Sequence, residues 1–206
     1  MGMEGKLRIF VSETSLGLYR RCLEAFYQKY NKIAIDTVCA GTVEQSEILL
    51  RGGCDLYFVL EDLVRNNQEF GYMTTLEDTL CLVVPRDVRI ADPKDFASLG
   101  DLPFVGLNIA VSTHLQEDIE AIMKARNYTP RIVNTYNMIE ELLLSVELGI
   151  GFTIAPYSIT QESRYNVKCY PLDDICGSVN RVIAWQRSNH NRATELFLDV
   201  VRELLK

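Results

Sequence analysis

Residues 135–156, TYNMIEELLLSVELGIGFTIAP, constrain the fold more than any other stretch of the 206-residue chain. Ile139, Leu142, Leu143 and Val146 recur at i, i+3, i+4 and i+7, the pattern of an amphipathic helix with one face on a core. Asn137 and Glu140 have the spacing of a capping box at its start. Gly149 stands where a left-handed residue ends a helix, Gly151 lets the chain turn into the apolar run 152–155, and Pro156 stops that run. Helix, double-glycine turn, buried strand and proline in succession predict an αβ unit of a parallel sheet.

The chain before this unit answers it. Residues 7–11 form an apolar run broken at Ser12-Glu13-Thr14-Ser15, after which Leu16, Tyr19, Leu23, Phe26 and Tyr30 recur at helical spacing. Residues 33–38 alternate as a second strand. Gly41-Thr42 breaks it, and Thr42 with Gln45 sets a capping box for a helix ending at Gly52-Gly53. Residues 56–60 are continuously apolar, as in a strand covered on both faces, so 7–60 reads as βαβαβ with right-handed crossovers. A polar connector, 62–69, leads to an apolar strand over 79–84 that Pro85 ends. The pattern then restarts with a strand at 103–107 and a polar loop at 108–113. Leu115, Ile119, Ile122 and Met123 mark a helix face opened by a Thr113–Gln116 capping box, and a strand at 131–133 runs into the 135–156 unit. Residues 167–170 and 179–185 are strand-like, and Leu196, Phe197, Val200, Val201 and Leu204 form one face of a terminal helix.

No Ser-, Gly- or Pro-rich linker separates the two α/β sets, and each holds only about 70 residues, few for an independent core. They are expected to share crossing strands at 79–85 and 152–156, giving a first lobe of residues 5–84 and 157–206 and a second lobe of 85–156.

Charge and motif content narrow the function. With 21 Lys and Arg against 28 Asp and Glu, the net charge of −7 opposes binding to phosphate backbones or anionic membranes. No signal-peptide core and no window of ~18 apolar residues is present, so a cytoplasmic protein without membrane contact is expected. The six cysteines, Cys22, Cys39, Cys54, Cys81, Cys169 and Cys176, form no C-x-x-C pair and read as reduced core residues. His114 and His190 are the only histidines and belong to no H-x-x-H or H-E-x-x-H motif, so neither a metal nor another cofactor is expected. There is no G-x-S-x-G elbow, and Gly149-Ile150-Gly151 lacks phosphate-loop spacing. Glu117, Asp118 and Glu120 suit the first turn of their helix rather than a catalytic pair. An enzyme is therefore not expected.

Four polar turns stand out: 12–15, 41–42, 108–113 and 135–137. Each follows a strand and precedes a helix, at the carboxyl end of a parallel strand where open α/β sheets bind ligands. If the two lobes face each other, hydroxyls and helix N-terminal amides converge on one cleft suited to a small anion such as a carboxylate. Each turn also fits the simpler role of capping its own helix.

The order G-K-L-R-I-x-V-S, a helix ending F-Y-Q-K-Y, a strand followed by Gly41-Thr42, and L-L-R-G-G-C-D-L-Y-F resembles the opening of the effector-binding domain of LysR-type transcriptional regulators. L-V-V-P, D-L-P-F-V and L-L-L-S-V-E-L-G-I-G-F-T-I-A-P are similar to that family's second lobe. The resemblance covers about residues 5–200, and V-x-x-G-x-G-x-x-x-x-P is its most specific piece. It implies a type-2 periplasmic-binding-protein-like fold of two Rossmann-like α/β lobes joined by two crossing strands. It also implies an effector cleft between the lobes and a homodimer of side-by-side antiparallel domains. A small metabolite bridging the lobes would shift their arrangement to control DNA binding. The family's N-terminal winged helix-turn-helix is absent from these residues, so DNA binding is not credited to them. By position, the implied ligand contacts are Ser12, Thr14 and Thr42 in the first lobe and Asn108, Ser112, Thr135 and Phe152 in the second. Glu13 departs from the pattern; it either repels an anionic effector, recognises an amine, or points to solvent. The alternatives on the same fold are a stand-alone solute-binding protein and a small-molecule lyase.

Overall fold

The computed structural model describes residues 5–108, 114–162, 164–172 and 179–206. The chain divides into two compact units, residues 1–76 with 180–206 and residues 77–179. The boundaries expected at 84/85 and 156/157 thus move to 76/77 and 179/180. The reason is pairing: the strand after residue 79 bonds to strands on both its sides that lie within 153–171, so all three stay together.

In the first unit, strands β1 (Gly5–Ser12), β2 (Ile33–Ala40), β3 (Leu56–Leu60), β4 (Phe70–Leu76) and β10 (Arg181–Gln186) form one sheet in the order β2-β1-β3-β10-β4. β1 is parallel to β2 and β3, and β10 is antiparallel to β3 and β4. Alternation along β1 sends Leu7, Ile9 and Val11 to one face, where Tyr19, Cys22 and Phe26 of α1 (Leu16–Lys29) and Phe197 and Val201 of α6 (Arg192–Leu204) bury them. Phe10 goes to the other face, with Leu49 of α2 (Thr42–Arg51), Tyr57, Val59 and Phe70. Each such side chain contributes roughly 1.5–3 kcal/mol by leaving water. Asn191 ties α6 in place. Its Oδ1 accepts from the Ala193 amide at 3.0 Å, capping the helix, and its Nδ2 donates to the Lys6 carbonyl and to Asp55.

In the second unit, β5 (Leu80–Pro85) lies between β8 (Thr153–Pro156) and β9 (Val167–Pro171), antiparallel to both. β6 (Phe104–Leu107) and β7 (Ile132–Tyr136) form a parallel pair, joined to β8 by a bridge from Phe104 to Phe152. α3 (His114–Ala125) and α4 (Ile139–Glu147) belong to this unit. Ile139, Leu142, Leu143 and Val146 of α4 are buried against Cys81, Val83, Val105 and Ala155, on the face the periodicity predicts. Gly149 has φ +77°, the left-handed conformation that ends α4. Gly151 is required by proximity instead: a Cβ there would lie 2.5 Å from the Pro103 carbonyl oxygen.

Several local expectations give way to longer-range partners. Asn137 does not cap α4; Met138 occupies that position, and the Asn137 Oδ1 accepts from Asn108 Nδ2 at 3.2 Å. Glu140 accepts instead from the Tyr165 hydroxyl at 2.8 Å. Gly41, not Thr42, is the N-cap of α2, and Thr113 lies outside the described residues. Pro156 ends β8, yet α5 (Tyr157–Glu162) follows at once because the buried Asp78 carboxylate accepts from the Ser158 amide and hydroxyl. Cys39 is exposed rather than in the core.

Candidate functional site

Register brings the polar turns together in pairs, one pair in each unit. In the first unit, Ser12 is opposite Ala40 at the carboxyl ends of β1 and β2, so residues 12–15 lie beside Gly41-Thr42. Ser12 is buried, with its hydroxyl 3.1 Å from that of Thr14 and 3.0 Å from that of Ser15. Thr14 is half-buried at the edge of this cluster, which leaves Ser12 as the group that orients Thr14. Thr42 is the first residue of α2, next to helix-terminal amides that carry partial positive charge. Glu13 is half-buried and lies near the Cys39 thiol, whose pKa is raised by partial desolvation against its neighbours and by that carboxylate.

In the second unit, Gly106 is opposite Thr135 and Leu107 opposite Tyr136. The Asn108 amide donates to the Tyr136 carbonyl at 2.6 Å, and its side chain reaches Asn137. Asn108 and Thr135 are therefore neighbours, both exposed, with Thr135 inside β7 rather than in the turn after it. Ser112 lies outside the described residues.

Phe152 is placed differently from expectation. Its ring is fully buried, with centroids 5.4 Å from Phe104, 5.8 Å from Tyr128 and 6.2 Å from Phe96. Its carbonyl accepts from Val105 and its amide donates to Pro103, both at 2.9 Å. Ring and backbone are both committed, so Phe152 anchors β6 to β8 within the core.

A cavity of about 300 Å³ lies within the second unit, with Asn108 and Thr135 in its lining. Strand residues Phe104, Gly106, Ile154 and Pro156 form one wall, and Leu115, Ile119 and Met123 of α3 form the other. Gln116, Glu120, Asn108 and Thr135 add polar groups to the lining. An apolar chamber with a few polar groups gathered together is the usual make-up of a small-molecule site, and this volume falls at the small end of such sites. Sequence periodicity identifies the α3 face as apolar but not that space remains beneath it, because cavity volume depends on how the helix sits over the sheet. Among the described residues, no group of three or more His, Cys, Asp or Glu is arranged to hold a metal ion, and no helix is long and apolar enough to cross a membrane.

The sequence and the fold are similar to those of known proteins. A family model described as the LysR substrate binding domain matches residues 2–206. The Hca operon transcriptional activator HcaR of Escherichia coli (strain K12) is 24% identical over 198 residues, covering 95% of this chain. The chain spans 66% of HcaR's length. Among solved structures, the CcmR regulatory domain of Synechocystis PCC6803 in complex with 2-PG is similar with a TM-score of 0.81 and 20% identity, over 98% of both chains. The effector binding domain of QuiR in complex with shikimate is similar with a TM-score of 0.75 and 16% identity, over 98% of this chain and 97% of that one. These likenesses establish the α/β, type-2 periplasmic-binding-protein-like fold. Matched along nearly all its length, the chain belongs to the LysR substrate-binding domain family.

Proposed function

We propose that these residues form the effector-sensing part of a LysR-type transcriptional regulator. A small metabolite engages the polar turns, and its preference for one conformation of the protein shifts a population that a DNA-binding region reads out. The observation that carries this reading is the pairing of polar turns at parallel strand ends in each unit, with residues of one pair, Asn108 and Thr135, in the lining of an apolar cavity. Thr14, Thr42, Asn108, Ser112 and Thr135 are the proposed contacts, with Ser12 and Phe152 as their supports. The effector's apolar body fits the cavity, and its polar head, a carboxylate being the favoured chemistry, meets hydroxyl and amide donors.

The likeness to HcaR supports a regulator rather than an enzyme. Cytoplasmic location, a homodimer, and contact with DNA through a segment outside these residues are parts of the same proposal. Relatives solved with 2-PG and shikimate make those two compounds the first probes, followed by a panel of small carboxylates in a thermal-shift screen. For a compound that binds, Thr14→Ala and Thr135→Ala each remove one hydrogen bond, about 0.5–1.5 kcal/mol or about 2- to 12-fold in affinity. Unchanged affinity in both variants would place the site elsewhere.

A further inference from the structure

The cavity of the second unit is graded in polarity. Its buried lining is apolar apart from Thr153, and includes Phe104, Leu115, Met123, Ile154 and Ala155. Four polar lining residues, Asn108, Gln116, Glu120 and Thr135, are exposed, and so mark the side on which the cavity meets solvent. A volume of about 300 Å³ is at the lower bound for a small-molecule site, so the enclosed part of a ligand is compact. Such a ligand enters apolar end first and leaves its polar groups at the rim.

The charge at that rim has one sign. Among the described residues, Glu120 is the charged member of the lining, and no lysine, arginine or histidine joins it. Glu120 Oε1 accepts from Gln116 Nε2 at 3.1 Å, one turn back along α3. A carboxylate has about four acceptor positions and a primary amide has two N–H donors, so both side chains keep capacity for a ligand. The pair presents an anionic acceptor and a neutral donor next to each other at the mouth of an apolar chamber. An ammonium satisfies the first and a carboxylate the second. An α-amino acid carries both on one carbon, together with its side chain. A carboxylate without an ammonium meets the donor but is repelled by Glu120, the kind of unfavourable contact that sets specificity.

We propose that the effector is an α-amino acid with an apolar side chain, held by that side chain in the cavity and by its ammonium at Glu120 and its carboxylate at Gln116. The inference rests on the effector-sensing reading and narrows the carboxylate named there to one with an amine on the neighbouring carbon. Asn108 and Thr135 supply further amide and hydroxyl donors from the strand side of the rim. Glu120 is the specificity-determining residue, because it separates amino acids from simple acids of the same shape.

Amide chemical-shift titration of the labelled chain with three compounds of one carbon skeleton isolates each group: L-leucine, isoamylamine, which lacks the carboxylate, and isocaproate, which lacks the ammonium. Leucine is expected to shift Leu115, Gln116, Ile119, Glu120, Met123 and Ile154. It should bind about five-fold tighter than isocaproate, the upper end for a solvent-exposed ion pair. Isoamylamine, which leaves the Gln116 donor unmet, should bind about 2- to 12-fold more weakly than leucine. Glu120→Gln keeps the shape and removes the charge, so leucine and isocaproate should come within about two-fold of each other. Isocaproate binding as tightly as leucine to the unaltered chain, a preference for leucine that survives in Glu120→Gln, or no saturable cavity shifts with leucine, valine and phenylalanine alike would overturn the proposal. A carboxylate without an amine that shifts the polar turns where leucine does not would overturn this inference alone and leave the effector-sensing reading standing.

Discussion

Replacing Gly151 by alanine tests whether the double-glycine turn is a close-approach requirement rather than a flexible joint. A Cβ at this position would lie 2.5 Å from the Pro103 carbonyl oxygen and 3.0 Å from Val105 Cγ1, against the 3.4 Å at which ordinary contact begins. The opposing atoms are β6 and its leading residue, so relief comes only by moving β6 away from residue 152. That movement stretches the two 2.9 Å hydrogen bonds between Phe152 and residues 103 and 105, which join β6 to β8. Overpacking costs about 1–3 kcal/mol and each weakened hydrogen bond about 0.5–1.5 kcal/mol. Alanine's smaller unfolded-state entropy returns about 0.4–1 kcal/mol. The net expectation is a loss of about 2–4 kcal/mol in urea unfolding followed by far-UV circular dichroism. Hydrogen exchange at the Phe152 and Val105 amides should quicken in step. Gly149→Ala is the control: it has open space around it and φ +77°, so it pays only for left-handed strain, about 1–2 kcal/mol. A loss under 1 kcal/mol in Gly151→Ala, or a smaller loss than in Gly149→Ala, with amide protection intact, would show that close approach to β6 is not what requires glycine at this position.

Three further perturbations probe other parts of the account. Asn191→Ala removes the α6 cap together with bonds to Asp55 and the Lys6 carbonyl, and a loss of about 1–2 kcal/mol is expected in the same urea assay. Ile119→Phe pushes a larger side chain into the 300 Å³ cavity; the unfolding midpoint should hold or rise while affinity for an identified effector falls at least about tenfold, or about 1.4 kcal/mol. Unchanged affinity in that variant would exclude the cavity from the binding site. Gly71→Ala sets a Cβ 2.9 Å from the Trp185 ring, so the tryptophan emission of the folded chain should shift even if stability changes little.

The elements that could be read from the sequence are those whose signals are local. The α4 face, Gly149, the continuous apolar run of β3 and the polar turns after β1 and β2 lie where periodicity and turn chemistry put them. What the sequence conceals depends on partners far along the chain. β4 was hidden because its pairing partner β10 lies beyond residue 180 and because its outward residues leave it half exposed. α5 starts directly after a proline only because Asp78 caps it from another segment. The Asn137–Glu140 capping box has the right spacing, but Asn108 and Tyr165 compete for the same atoms. For the candidate site, position along a strand end was legible, while depth was not: Thr14, Asn108 and Thr135 reach the surface, whereas Ser12 and Phe152 are held beneath it. The cavity under α3 has no signature in spacing, since it follows from how strands and helices register.

The central claim is that a small effector binds at polar turns on the carboxyl ends of parallel strands. Amide chemical-shift mapping of the labelled chain, titrated to saturation with a compound found in the thermal-shift screen, tests it directly. The largest shifts are expected at residues of these turns, drawn from Thr14, Ser15, Gly41, Thr42, Asn108, Thr135 and Tyr136. Shifts gathered away from all of these turns would contradict it.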